Sequence, residues 1–220
     1  MKVTVCELHD SGTRFDEDWQ RLARHVRAER SELVLLPETP FSRWPWDEAV
    51  AAHQQAEARL RQLAPAVVLG TRPLDSGNER YLGFLWTAAA GTRTVHARSR
   101  LPHAWETVWY QHTANADFSP VTVAGITVGF LIGDELSAVQ ETERCRREGI
   151  QLLVSPRSTP VKAGVHELCS TRAGAGPGWI LGPAGEVLVR TSPSSPVVSL
   201  TLDLSADAGP SPAGPATAGR

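Results

Sequence analysis

Apolar positions recur along the chain with two distinct periods. KVTVCEL (2–8) alternates as a half-buried strand does, whereas FDEDWQRLARHVRAER (15–30) sets Trp19, Leu22 and Val26 at helical spacing among polar residues. SELVLLPE (31–38) is a nearly continuous apolar run of strand length, the pattern of a strand covered on both faces. A second helix is predicted over AVAAHQQAEARLRQLA (49–64), ended by Pro65, and a third strand over AVVLGTRP (66–73). YLGFLWTAAA (81–90) and TRTVHARSR (92–100) form a hairpin about Gly91, and VTVAGITVGFLIG (121–133) folds back on itself at Ala124-Gly125. SAVQETERCRREG (137–149) is a helix closed by its final glycine, and IQLLVSP (150–156) is a buried strand. WILGPAGEVLVRT (179–191) turns about Pro183-Ala184-Gly185, and VVSLTLDL (197–204) is the last strand. Strands with helical crossovers, mixed with hairpins, predict a layered α/β sandwich.

Composition narrows the picture. At 220 residues, 41% hydrophobic and 21% charged, the chain is expected to form one globular domain over 1–204. Residues 205–220, mostly Ala, Gly and Pro with almost no apolar anchor, predict a disordered tail. A net charge of -2 gives no electrostatic reason to expect nucleic acid or an anionic membrane as partner. MKVTVCELHD lacks the apolar run and cleavage site of a signal peptide, and no window has the length of a membrane span. Cys6, Cys145 and Cys169 are odd in number and form no CxxC pair, so free thiols in a reducing cytoplasm are the expectation.

The chemistry sits at strand ends. SELVLLPETPF closes an apolar strand with Pro37-Glu38, and the hairpin's second arm ends in RSRLP, which contains Arg98. GFLIGDEL ends a strand at Gly133, followed by Asp134 and Glu135; Gly149 comes 16 residues after Gly133 and opens the strand that runs into SP. This series resembles the carbon-nitrogen hydrolase, or nitrilase, superfamily from residue 2 to about residue 204. The resemblance implies a nitrilase-like α-β-β-α sandwich that packs as a homodimer, with Glu38 in the position of the general base. It also puts Arg98 where the family has its catalytic lysine and Gly133 where it has its nucleophilic cysteine.

Those two departures change the expected chemistry. In the family the cysteine attacks an amide or nitrile carbon, the glutamate carries the proton and the lysine stabilises the charged intermediate. Glycine supplies no nucleophile, while arginine remains a cationic donor that does not give up its proton. Downstream, the family has a helix and a further strand where this chain has only residues 157–178, so the C-terminal half is expected to be shortened by a helix.

Glu38 is thus expected to act as acid or base, against the plainer reading of a loop carboxylate. Arg98 either holds charge on a ligand or pairs structurally with Glu38 or Glu106. Trp44, Trp46, Trp105 and Trp109 lie in the loops after Glu38 and Arg98, where they would line a pocket or merely cover the shortened wall. Glu106, Asp134 and Glu135 complete the candidate binding residues. Lys162 and Cys169 offer a lesser route to relocated catalysis. His166-Glu167 is not an HExxH motif, and no metal or cofactor is expected. The expected function is non-covalent action on a small organic amide-, nitrile- or carbonyl-type molecule; the alternative is a catalytically inactive homologue that binds a ligand or a protein.

Overall fold

Two sheets face one another in the computed structural model, which describes residues 1–9, 12–38, 56–74, 80–97, 120–132, 143, 145–157 and 164–204. The first sheet has the order β10-β1-β2-β3-β4-β5, with β13 also paired to β1. Its strands are β1 (Lys2–Leu8), β2 (Leu33–Leu35), β3 (Val67–Leu74), β4 (Arg80–Thr87), β5 (Gly91–Ala97), β10 (Thr171–Arg172) and β13 (Val197–Thr201). The second has the order β12-β11-β9-β8-β7-β6. It is built from β6 (Val121–Val123), β7 (Ile126–Phe130), β8 (Leu152–Ser155), β9 (His166–Cys169), β11 (Trp179–Leu181) and β12 (Val187–Arg190).

Period-2 alternation decides what each strand shows to which layer. Val3, Val5, Leu33, Leu35, Leu69 and Leu85 of the first sheet meet Val128, Phe130, Leu152, Val154, Leu168 and Ile180 of the second in one buried cluster. The opposite faces of β1 and β2 present Cys6, Leu8, Val34 and Leu36 to α1 (Gly12–Glu29), whose Phe15, Trp19, Leu22, Ala23 and Val26 form its buried stripe. The short helix α2 (Ala56–Leu60), continued by a 3-10 turn to Leu63, adds Ala56, Leu60 and Leu63 to the same layer. Glu57 fixes α2 to the sheet by accepting from the Trp86 indole at 2.9 Å and from the Thr92 hydroxyl. A smaller cluster of Leu131, Cys145, Ile150 and Leu153 covers the outer face of the second sheet. The layers therefore agree with a helix-sheet-sheet-helix sandwich.

Local chemistry sets the element ends. α1 stops with Arg30 at φ 54°, where Ser31 N–H bonds Val26 O and Arg30 N–H bonds Arg27 O. The helix before β8 stops in the same way at Gly149, with Ile150 N–H bonded to Cys145 O; both are left-handed C-terminal caps. Ala124 and Gly125, both at positive φ, make the two-residue turn between β6 and β7. At Gly70 the constraint is space, since a Cβ there would lie 2.9 Å from the Phe84 ring.

Residues 157–178, which the apolar pattern left without an element, contain β9 and β10. The further strand is therefore present. β8 and β9 are parallel neighbours joined only by residues 156–165. Residues 39–55, 98–119, 133–142, 158–163 and 205–220, including the expected tail and the first part of the 49–64 helix, lie outside the described residues.

Candidate functional site

Parallel pairing gathers strand ends on one rim. β1, β2 and β3 run parallel, and β5 regains their direction through two antiparallel pairings with β4. β7, β8 and β9 are likewise parallel to one another. The two sets meet at Ser170, directly after β9: its hydroxyl donates to Leu35 O at 2.6 Å and accepts from Cys6 N–H at 3.0 Å. The C-terminal ends of β1 and β2 are thereby tied to the C-terminal end of β9. Chain leaving β2, β5 and β7 starts from this common rim.

Glu38 lies three residues beyond β2 and is half-buried. The chain is held up to that point: Leu36 N–H continues the ladder to Leu69 O at 2.8 Å, and the Leu36 side chain is fully buried under α1 and α2. Pro37, also buried, has no N–H to satisfy at the rim. β5 is described to Ala97, the residue before Arg98, and the chain after β7 to Ile132, the residue before Gly133. Arg98, Gly133, Asp134, Glu135, Trp44, Trp46, Trp105, Glu106 and Trp109 themselves lie outside the described residues, as does Lys162.

All three cysteines of the chain are described, and all are fully buried. Cys6 packs under α1, and burial pushes its thiol well up from the ordinary value. Burial, reinforced by the neighbouring Glu167 carboxylate 3.4 Å away, raises Cys169 in the same direction. Cys145 is enclosed by Leu131, Ile150 and Leu153. A thiol buried away from solvent is a poor nucleophile, which speaks against Cys169 as a relocated catalyst. In the folded protein, a chromogenic aromatic disulfide should release no fast equivalent of thiolate, whereas protein unfolded in urea should release three equivalents. Rapid release from the native state would place a thiol at the surface.

Ser170 is a positioning residue that the sequence pattern did not single out, because a lone serine after a strand carries no periodic signal. Ser170→Ala leaves the buried Cys6 N–H without its acceptor and Leu35 O with only the weak Cys6 thiol donor at 3.6 Å, for an expected loss of about 1–3 kcal/mol. Urea unfolding monitored by tryptophan fluorescence measures it; an unchanged midpoint would mean that the two sheets are not tied there. A second missed constellation follows β1, where the His9 ring and backbone N–H both engage Asp18 Oδ2, at 2.6 and 3.0 Å, and Arg21 holds Oδ1 at 2.8 Å. It anchors the start of the loop to α1. Among the described residues no group of His, Cys, Asp and Glu is arranged to hold a metal ion, and no helix is long and apolar enough to cross a membrane.

No known family profile and no curated protein matches the sequence. Solved structures do match. The amidase from Nesterenkonia sp. AN1 superposes with a TM-score of 0.77 at 13% identity, covering 94% of each chain. A variant of this amidase, described as a member of the nitrilase superfamily, gives 0.77 at 14% identity over 94% of this chain and 92% of the other. Another form, with acrylamide added at its active site cysteine, gives 0.77 at 12% identity over 92% and 93%. The chain thus has the fold of nitrilase-superfamily amidases across nearly its whole length.

Proposed function

We propose that the protein is a divergent member of the nitrilase superfamily that acts on a small amide-, nitrile- or carbonyl-type molecule without a covalent enzyme intermediate. The observation that carries this reading is Glu38: an acid kept at the half-buried end of β2, on the rim shared by the outlets of β5 and β7, in the fold of an amidase family. Desolvation penalises a charged group at such a position, so its retention favours a chemical role.

For an amide, Glu38 takes a proton from a water molecule as that water adds to the carbonyl carbon, and returns it to the departing nitrogen. Arg98 holds the negative charge that develops on the carbonyl oxygen. The indoles of Trp44, Trp46, Trp105 and Trp109 supply an apolar enclosure that excludes bulk water, with Glu106, Asp134 and Glu135 around the ligand. The absence of a covalent intermediate in this reading is supported by the glycine at position 133 and by the burial of all three thiols.

The same two features also favour a second reading, an inactive homologue that binds a ligand or a partner protein. The test is an assay of purified protein with acetamide, butyramide and butyronitrile, reading ammonia release together with intact mass. Ammonia release with no mass adduct supports the first reading. Ligand-induced stabilisation without turnover supports the second, and an acyl adduct on any cysteine overturns the non-covalent mechanism.

A further inference from the structure

Among the described residues, one carboxylate outside the Glu38 site has no counter-charge. Glu7 lies near the end of β1 with the parity of Val3 and Val5, so it belongs to the inner face of the first sheet, at the rim where the hydrophobic core ends. It is half-buried and lines a cleft of about 430 Å³ with Gly174, Gly176, Pro177, Thr191 and Pro193. That volume lies within the range of small-molecule sites.

The hydrogen bonding around Glu7 is directional. Thr191 is almost fully buried, and its hydroxyl oxygen accepts from Gly178 N–H at 2.6 Å. The hydroxyl proton is then available for one oxygen of Glu7, with which Thr191 is in contact. Glu7 is therefore held as an acceptor, and among the described residues no cation pairs with it. Arg190 contributes to the same wall, yet its guanidinium lies over the Trp179 ring, 6.0 Å from the centroid. The remaining walls are proline and glycine, with Ser192 at one edge. At Gly174 a Cβ would meet nothing within 4 Å, so that wall stands open.

A half-buried carboxylate that accepts from Thr191 and has no ion-pair partner among the described residues, facing a largely apolar cleft, is complementary to a cationic donor on a short apolar body. We propose that this cleft is a second ligand site, selective for small primary alkylammonium ions. It is separate from Glu38, because Ser170 inserts between the ends of β1 and β2 and leaves the cleft on the β10 and β13 side of β1. The inference does not depend on any catalytic role for Glu38.

The experiment titrates n-butylammonium chloride into the full chain by calorimetry, with butan-1-ol and butane-1-sulfonate as the neutral and anionic controls of similar size. The expected result is saturable binding of the ammonium, about tenfold or more tighter than either control. Glu7→Gln, which keeps an acceptor for Thr191 but removes the charge, should weaken it by a similar factor, and Glu38→Gln should leave it unchanged. Equal binding of the three probes, undiminished binding by Glu7→Gln, or loss of binding in Glu38→Gln would each overturn the assignment. If Glu7→Gln does not fold, the probe series on the unaltered protein and on Glu38→Gln decides the matter.

Discussion

Glu38→Gln is expected to lower turnover of a short amide by about 10²–10⁴-fold, the range associated with losing a positioned acid or base. Glutamine keeps the size and the hydrogen-bonding oxygen of glutamate but cannot carry a proton between water and the departing nitrogen. The chain up to Leu36 is held by the Leu36–Leu69 ladder bond and by the burial of the Leu36 side chain. The variant should therefore remain folded. Initial rates of ammonia release, measured beside a thermal melt, give both quantities. Equal rates for the two proteins would sink the assignment of Glu38 as the proton carrier, and a collapsed melt would show that its role is structural.

Trp19→Ala should do the reverse. Trp19 is completely buried in the middle of the α1 stripe, its ring 5.9 Å from that of Phe15, within the cluster that α1 shares with Val34, Leu36, Phe84 and Trp86. Truncating a buried tryptophan removes a large apolar surface and leaves a cavity that rigid strands cannot fill, at a cost of about 3–5 kcal/mol. Against a total stability of about 5–15 kcal/mol, that is a large fraction. The midpoint of urea unfolding should fall steeply with an unchanged slope. A shift smaller than that of Ser170→Ala would mean that α1 is not a principal element of the core. Where enough folded protein remains, its activity per folded molecule should be preserved, because Trp19 lies on the face of the sheet away from the rim.

The two periods of apolar residues were enough to read most of the architecture, because most strands here bury one or both faces against apolar neighbours. β9 escaped because its sequence, HELC, puts a charged residue at a fully buried position: Glu167 is 0% exposed and reads as a surface residue. β10 escaped because two residues are too few to show any period, and its pairing with β1 is settled only by the tertiary register of Glu7 with Thr171. Gly70 reads as an ordinary break in a strand, although the nearness of Phe84 is what requires it. For the site, the apolar run ending in Pro-Glu marked Glu38 from sequence. Glu7 was hidden within the alternation of KVTVCEL, where an inward carboxylate near a strand end looks the same as an outward one. Its setting depends on Thr191, far away in the chain, and no local pattern reports that.

The passage of the chain from β9 through Ser170 to β10 has a consequence for how the molecule opens. A single stretch is hydrogen-bonded into one sheet up to Cys169 and into the other from Thr171. Neither sheet can open fully at this edge without disturbing the other. In native-state hydrogen exchange, the amides of Leu168 and Cys6 should therefore share one opening free energy, close to that of global unfolding, and exchange as members of one cooperative unit. Ser170→Ala should divide that unit, giving the two amides separate protection. The geometry of the rim and the cooperativity of the fold would then rest on the same hydroxyl group.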